Sequence, residues 1–226
     1  MSTLYTNARF WSAGQEIFHD LLVKDSIILA TGEQTKEFTA ETTIDLNGAF
    51  VIPAFLDGHA HPIFAGREAA GPKINGINSI EEIKAQVKAF AQANPTTPWI
   101  IGGAYEAAII EGGDFDATWL DEVVSDRPVV LHAVDHHTIW VNNKAIELAG
   151  ITGATKDPQG GTIARNSDGS AKGTLREPSA MALVLNHAPA NTIESDIAAI
   201  TYACAEYRKV GVIAAIDSWC EKDMAR

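Results

Sequence analysis

The sequence is poor in cysteine and in basic residues. Only 2 of its 226 residues are cysteines, which is too few for a disulfide framework and predicts a reduced, cytoplasmic setting. Lysine and arginine together number 17 against 29 acidic residues, giving a net charge of -12, and they form no cluster. This balance of charge excludes electrostatic binding to nucleic acid or to an anionic membrane surface, and it favours a small-molecule substrate.

The chain also lacks the segments that direct proteins to membranes. Its N-terminus, MSTLYTNARFWSAGQ, has neither the basic start nor the apolar run of a signal peptide. A bilayer-spanning helix needs about 18 or more uninterrupted apolar residues, and the sequence has no such run. We therefore expect no membrane partner.

The two parts of the chain differ in pattern. Residues 1–53 contain short β-like runs, such as LYTNARFW and TTIDLNGAFVI, separated by Gly and Asn, and predict a small β-domain. From residue 54 onward, apolar strand-like runs such as PVVLHAVD alternate with helical segments such as SIEEIKAQVKAFAQAN, which begins with a Ser79–Glu82 capping box. This alternation is typical of βα units around a parallel sheet, so residues 54–226 predict an α/β domain.

One segment interrupts the alternation. Residues 151–175 are rich in Gly, Asp, Asn and Thr, and the stretch NSDGS is typical of a hairpin turn, so we expect an inserted β-hairpin. After it, IESDIAAITYACAEYRKVG predicts a long helix and VIAAIDSW a strand.

Two histidines one residue apart, His59 and His61, end the apolar run VIPAFLDGHAHP. Alternate residues of a β-strand point to the same face, so both imidazoles would project together. Pro62 ends the strand, and α/β barrels build their active sites at the C-terminal ends of strands. Because imidazole is a common zinc ligand, the pair predicts a metal site; a hydrogen-bonded structural pair is the alternative.

These residues also carry a resemblance. VIPAFLDGHAHP resembles the first metal-binding strand of the amidohydrolase superfamily. The segments DRPVVLHAVDHHTIWVNNKAIELAGI and DPQGGTIARNSDGSAKGTLREPSA are similar to amidohydrolase family 3, which includes N-substituted formamide deformylases. Two positions depart from the usual family pattern, because Ala54 and His136 stand where the family usually has glycine.

The resemblance implies a (β/α)8 barrel of the TIM type beside a β-sandwich, to which residues 1–53 would contribute. A complete barrel takes about 250 residues, so residues 54–226 would form only its first part. We therefore expect a fragment that is inactive alone, with further metal ligands and the general base on strands beyond residue 226. Open barrel edges also favour association into a homo-oligomer.

The resemblance further implies a metal-ligand set. His59 and His61 would hold the first ion, and Glu177 would supply a bridging carboxylate. The residues themselves lend modest support, since Glu177 ends a β-like stretch and is followed by proline, as His61 is. A glutamate that simply opens a helix is the alternative, and Lys172 is a weaker rival for the bridging position.

The same alignment implies substrate contacts. His137 follows the strand-like run VVLHAV and would orient or polarise a substrate carbonyl, while Trp140 would line the substrate pocket. A loop histidine in water is the alternative for His137. We expect His132 to be structural and His136 to be a surface residue.

The function implied is metal-dependent hydrolysis. One or two divalent ions, with Zn²⁺ as the first expectation, would activate water for attack on a non-peptide, amide-type C–N bond. Two alternatives stay open: a mononuclear deaminase of the same superfamily, which needs no bridging carboxylate, and a non-catalytic partial barrel.

Overall fold

The computed structural model describes residues 1–14 and 17–219. It consists of two compact units, one formed by residues 1–58 with 210–215 and the other by residues 59–209 with those from 216 onward. Within the described ranges, no helix combines the length and the apolar character that a bilayer crossing requires. Cys204 is a free, exposed thiol, and Cys220 lies outside the described residues.

The first unit is built mainly from short strands. They are β1 (Ser2–Thr6), β2 (Arg9–Phe10), β3 (Leu21–Lys24), β4 (Ile27–Thr31), β5 (Thr42–Asp45) and β6 (Phe50–Val51), with a 3-10 helix at Gly32–Glu37. β1 pairs with β3 in antiparallel and with β5 in parallel orientation, and β4 extends the sheet beyond β3. β2 and β6 form a separate parallel pair. Strands fill this segment, as its β-like runs predict, while its place in a β-sandwich stays a prediction.

The strand that carries His59 does not join a large sheet. β7 (Phe55–Ala60) pairs with β13 (Val212–Asp217) in a two-stranded sheet. Backbone hydrogen bonds run from Phe55 N to Gly211 O at one end and from Ser218 N to Ala60 O at the other, each 2.9 Å long. The C-terminal ends of both strands therefore lie side by side.

The second unit contains the helices and a five-stranded sheet. Its further elements are α1 (Pro62–Ala69), α2 (Ile80–Ala93), β8 (Ile100–Tyr105), α3 (Ala117–Asp121), β9 (Val129–Ala133), β10 (Thr138–Val141), α4 (Asn143–Leu148), β11 (Thr162–Arg165), β12 (Ala171–Arg176), α5 (Glu177–Leu185) and α6 (Ile193–Lys209), with short 3-10 helices at Ala107–Ile109 and Glu111–Gly113. The strand order is β11-β12-β10-β9-β8.

This sheet is mixed, which corrects the expectation of a parallel sheet, while the first part of a (β/α)8 barrel stays a prediction. Only β8 and β9 are parallel neighbours, while β9–β10, β10–β12 and β12–β11 are antiparallel pairs. The physical reason is a tight turn after β9, in which His136 N donates to Ala133 O and the chain returns at once as β10. The fold is mixed α/β, and no barrel closes within residues 1–14 and 17–219.

Several local predictions are confirmed. α2 begins at the capping box, where Ser79 Oγ accepts a hydrogen bond from Glu82 N, and the inserted hairpin forms from β11 and β12. The hairpin turn is closed by Asn166 N donating to Ser170 O at 2.9 Å. The predicted long helix and final strand are α6 and β13.

Close packing of α6 fixes the helix that follows His61. A Cβ built on Gly66 of α1 would lie 2.1 Å from the carbonyl oxygen of Ala199 in α6, so the two backbones touch. Arg67 adds an ion pair, its Nε donating to Asp196 Oδ1 at 2.8 Å. Since His61 is the N-cap residue of α1, this contact also holds the histidine in place.

Candidate metal centre

His59 and His61 lie together at the end of β7, as the alternation of strand side chains predicts. Their ring centroids are 5.3 Å apart, with an angle of 80° between the rings. His61 Nδ1 is buried and has no hydrogen-bond partner. Asp217, the last residue of β13, places Oδ1 3.8 Å from this nitrogen, which is beyond hydrogen-bond distance. Imidazole nitrogen and carboxylate oxygen are both zinc ligands, so His59, His61 and Asp217 are candidate ligands for a divalent cation.

A cavity of about 380 Å³ opens beside His61. Its polar wall includes His132, His136 and His137, and its apolar wall includes Phe64 and Trp219. Phe64 packs against two neighbouring rings. Its ring centroid lies 5.3 Å from that of Trp219 and 6.4 Å from that of His61. The cavity is therefore an imidazole-rich pocket with an apolar side, large enough for a small molecule.

A second group of ligand-type side chains adjoins this cavity. Glu68, His132 and His136 each offer one nitrogen or oxygen atom, and these three atoms lie within 4.8 Å of one another. Burial raises the pKa of Glu68 to about 7. Burial also lowers the pKa of His132 to about 4, with His136 adding to the shift, and lowers that of His136, with His61 adding to it. Both imidazoles are therefore neutral at neutral pH, the form in which they bind metal.

The structure pairs Glu177 with His137. The distance from His137 Nδ1 to Glu177 Oε2 is 3.0 Å, and Glu177 N donates to His137 O at 2.7 Å. The hydrogen bond that Glu177 accepts from His137, together with the negative charge of Glu177, raises the pKa of His137. Both side chains are half exposed, and Glu177 adopts a positive φ of 69° at the start of α5.

This pairing bears on the bridging role expected for Glu177. The carboxylate that lies beside His61 is that of Asp217, whereas the recorded side-chain partner of Glu177 is His137. Lys172, the weaker rival, lies near the start of β12, and Glu177 follows the end of the same strand. The bridging role of Glu177 stays a prediction, and Asp217 is a second candidate that sequence reasoning missed.

Trp140 differs from the expectation that it walls the substrate pocket. Its ring is fully buried, with an exposed fraction of 0%, and packs against Tyr105 and Phe115 in the core. Its indole Nε1 donates to Asp116 O at 2.9 Å. The reason is the return of β10, which turns Trp140 into the sheet interior, while His137 remains at the cavity.

The sequence predicts no ligand role for the three residues of this second group. His132 and His136 were expected to be structural and exposed, and Glu68 carried no motif. They come from α1, β9 and the turn after β9, which are distant in sequence, so no local spacing relates them. One local signal was available, because His136 occupies a turn position with a φ of 58°, where glycine is the usual residue.

Comparison with known proteins places these residues in a family. The profile described as the amidohydrolase family matches residues 42–226. The putative amidohydrolase YtcJ of Bacillus subtilis is 34% identical over 173 residues, which cover 74% of this chain and 32% of that protein. The N-substituted formamide deformylase of Arthrobacter pascens is 27% identical over 181 residues, which cover 77% of this chain and 33% of that protein. The chain thus spans about a third of the length of these curated relatives.

A solved structure supports the same assignment at the level of the fold. An uncharacterized metal-dependent hydrolase from Pyrococcus furiosus matches with a TM-score of 0.63 and 21% sequence identity, over 95% of this chain and 44% of that one. The family match covers both the His59–His61 strand and the segments that build the cavity. The chain belongs to the amidohydrolase family.

Proposed function

We propose that this chain supplies part of the active site of a metal-dependent hydrolase that cleaves non-peptide, amide-type C–N bonds. The observation that carries the proposal is the placement of His59 beside His61, which lines an imidazole-rich cavity. The buried Nδ1 of His61 has no hydrogen-bond partner and lies 3.8 Å from Asp217 Oδ1. Membership of the amidohydrolase family supports it.

The residues divide into two roles. His59 and His61, with Asp217 beside them, hold a divalent ion, with Zn²⁺ suited to this ligand chemistry. Such an ion, when bound, supplies Lewis-acid polarisation of a carbonyl and lowers the pKa of water. His137 lines the cavity and orients the substrate carbonyl. Glu177 Oε2 accepts a hydrogen bond from Nδ1–H of His137 and so fixes the tautomer and orientation of the ring.

The cavity suggests a substrate class. Its apolar side contains Phe64, Met181, Leu185 and Trp219, which suit an uncharged molecule with an apolar substituent. The net charge of -12 disfavours an anionic substrate. An N-substituted formamide has both features, and the Arthrobacter pascens relative is named for this substrate.

The test is hydrolysis of an N-substituted formamide by the zinc-loaded protein that contains this chain. With N-benzylformamide we expect release of formate and benzylamine in equal amounts. His137→Gln is expected to lower kcat by roughly 100-fold, because positioned acid–base or polarising groups contribute about 10²–10⁴-fold. His187→Gln is the matched control, since His187 is exposed and does not line the cavity.

Two outcomes would contradict the proposal. Release of ammonia from an aminated heterocycle, with no formate from any formamide, would identify a deaminase. Equal kcat values for the wild type and His137→Gln would show that His137 takes no part in the reaction.

A further inference from the structure

We propose that Glu68, His132 and His136 bind one divalent cation of the zinc class, at a site distinct from His59 and His61 and supplied entirely by this chain. Glu68 comes from the last turn of α1, His132 from β9 and His136 from the turn that follows β9. The three side chains meet although their segments are separated by the whole of α2 and β8. The inference stands apart from the proposed function, because it uses none of the ligands of that centre.

The distances suit a small cation. His136 Nδ1 lies 3.5 Å from Glu68 Oε1. Ligands about 2.1 Å from a tetrahedral zinc ion are about 3.4 Å from each other, so this pair already has the required spacing. All three donor atoms lie within 4.8 Å of one another, so no pair needs to close by more than about 1.4 Å to reach that spacing.

The surroundings of Glu68 leave one oxygen of its carboxylate without a hydrogen bond. Oε1 is buried and has no hydrogen-bond partner. The carboxylate lies against Gly103 of β8, where an added Cβ would come within 2.2 Å of Oε1, so the space is filled by the carboxylate itself. A buried oxygen without a partner is costly, and a cation held by Glu68, His132 and His136 would satisfy it.

The backbone at His136 is a second sign of a functional constraint. A non-glycine residue with a φ of 58° persists where the surrounding structure holds it. The ring of His136 lies against Phe64 and His132, with centroid distances of 6.1 and 6.4 Å. This conformation holds the imidazole next to Glu68.

The ligand set selects the kind of cation. Two imidazoles and one carboxylate favour zinc and its neighbours over Ca²⁺ or Mg²⁺, which prefer oxygen ligands. Three protein ligands leave the fourth tetrahedral position open, and His132 and His136 both line the cavity. The ion would also join α1 to β9 and its turn, and so stabilise the packing of the helix that begins after His61.

The experiment measures zinc binding and stability for the metal-free chain. Zn²⁺ is titrated against a chromophoric chelator, and Co²⁺ serves as a spectroscopic probe of four-coordinate geometry. Glu68→Gln removes a charged ligand. His136→Gly removes a ligand at a position where glycine relieves the positive φ, so misfolding is not the expected consequence. Glu147→Gln and His187→Ala alter exposed residues and serve as controls.

We expect Glu68→Gln and His136→Gly each to bind one zinc ion fewer than the wild type and to lose the Co²⁺ absorption of this site. The rise in melting temperature that Zn²⁺ causes should shrink in both variants. The double variant His59→Ala/His61→Ala should retain this ion, while both controls should match the wild type.

Three outcomes would overturn the inference. One is a wild-type chain that binds no zinc. Another is wild-type stoichiometry, with affinities within about threefold, in both Glu68→Gln and His136→Gly. In the third, the chain's zinc is lost in the His59–His61 variant and kept in both triad variants, which would leave the proposed function standing.

Discussion

Replacing both His59 and His61 by alanine is expected to lower the affinity of their centre for Zn²⁺ by more than about 100-fold. Loss of a group that merely orients a metal ligand typically costs 10–100-fold, and this variant removes two ligands themselves. Asp217 would remain without the imidazole nitrogen that lies 3.8 Å from its carboxylate. Competition titration with a chelator of known affinity measures the change.

The matched control is the double variant His19→Ala/His187→Ala, which also removes two histidines. Both side chains are exposed, and His19 Nδ1 hydrogen-bonds only to the backbone, at Ala8 O. We expect this control to bind zinc as the wild type does. Equal zinc affinity and stoichiometry in the wild type, the His59→Ala/His61→Ala variant and this control would show that His59 and His61 do not form a metal site.

Asn142→Ala is expected to reduce the free energy of unfolding by about 3 kcal/mol or more. The Asn142 side chain is fully buried and makes four hydrogen bonds to the backbone. Its Oδ1 accepts from Val129 N and Ala145 N, each at 3.0 Å, and its Nδ2 donates to Val124 O at 2.9 Å and Arg127 O at 3.0 Å. Each buried group left without a partner costs about 1–3 kcal/mol, and relaxation recovers only part of that cost.

Asn143→Ala offers a control at the next residue. Asn143 is exposed, and its side chain pairs with Asp121 at the surface, so its loss should cost less than about 1 kcal/mol. Urea denaturation followed by circular dichroism gives both values. A loss below about 1 kcal/mol for Asn142→Ala would mean that water or neighbouring groups replace its four hydrogen bonds.

The features that sequence reasoning predicted well depend on neighbouring residues. The Ser79–Glu82 capping box starts a helix because its hydrogen bond is local, and the NSDGS turn closes a hairpin for the same reason. The His59–His61 pair follows from the period of a strand, since both rings must leave the same face. These arguments need no knowledge of how distant segments pack.

The features that it missed depend on pairing between distant segments. Thr138 and the three apolar residues that follow it form β10, because a positive φ at His136 turns the chain back on β9. That return converts a parallel arrangement into a mixed sheet and buries Trp140. The cluster of Glu68 with His132 depends on the same packing and has no sequence motif.

We expect the paired imidazoles of His59 and His61 to bind a divalent metal ion at the edge of the cavity. Anomalous diffraction at the zinc absorption edge, from crystals of the zinc-loaded protein that contains this chain, tests it most directly. We expect an anomalous peak about 2.0–2.1 Å from a nitrogen of each of His59 and His61. Anomalous peaks found only elsewhere, with neither histidine within bonding distance of a zinc ion, would contradict it.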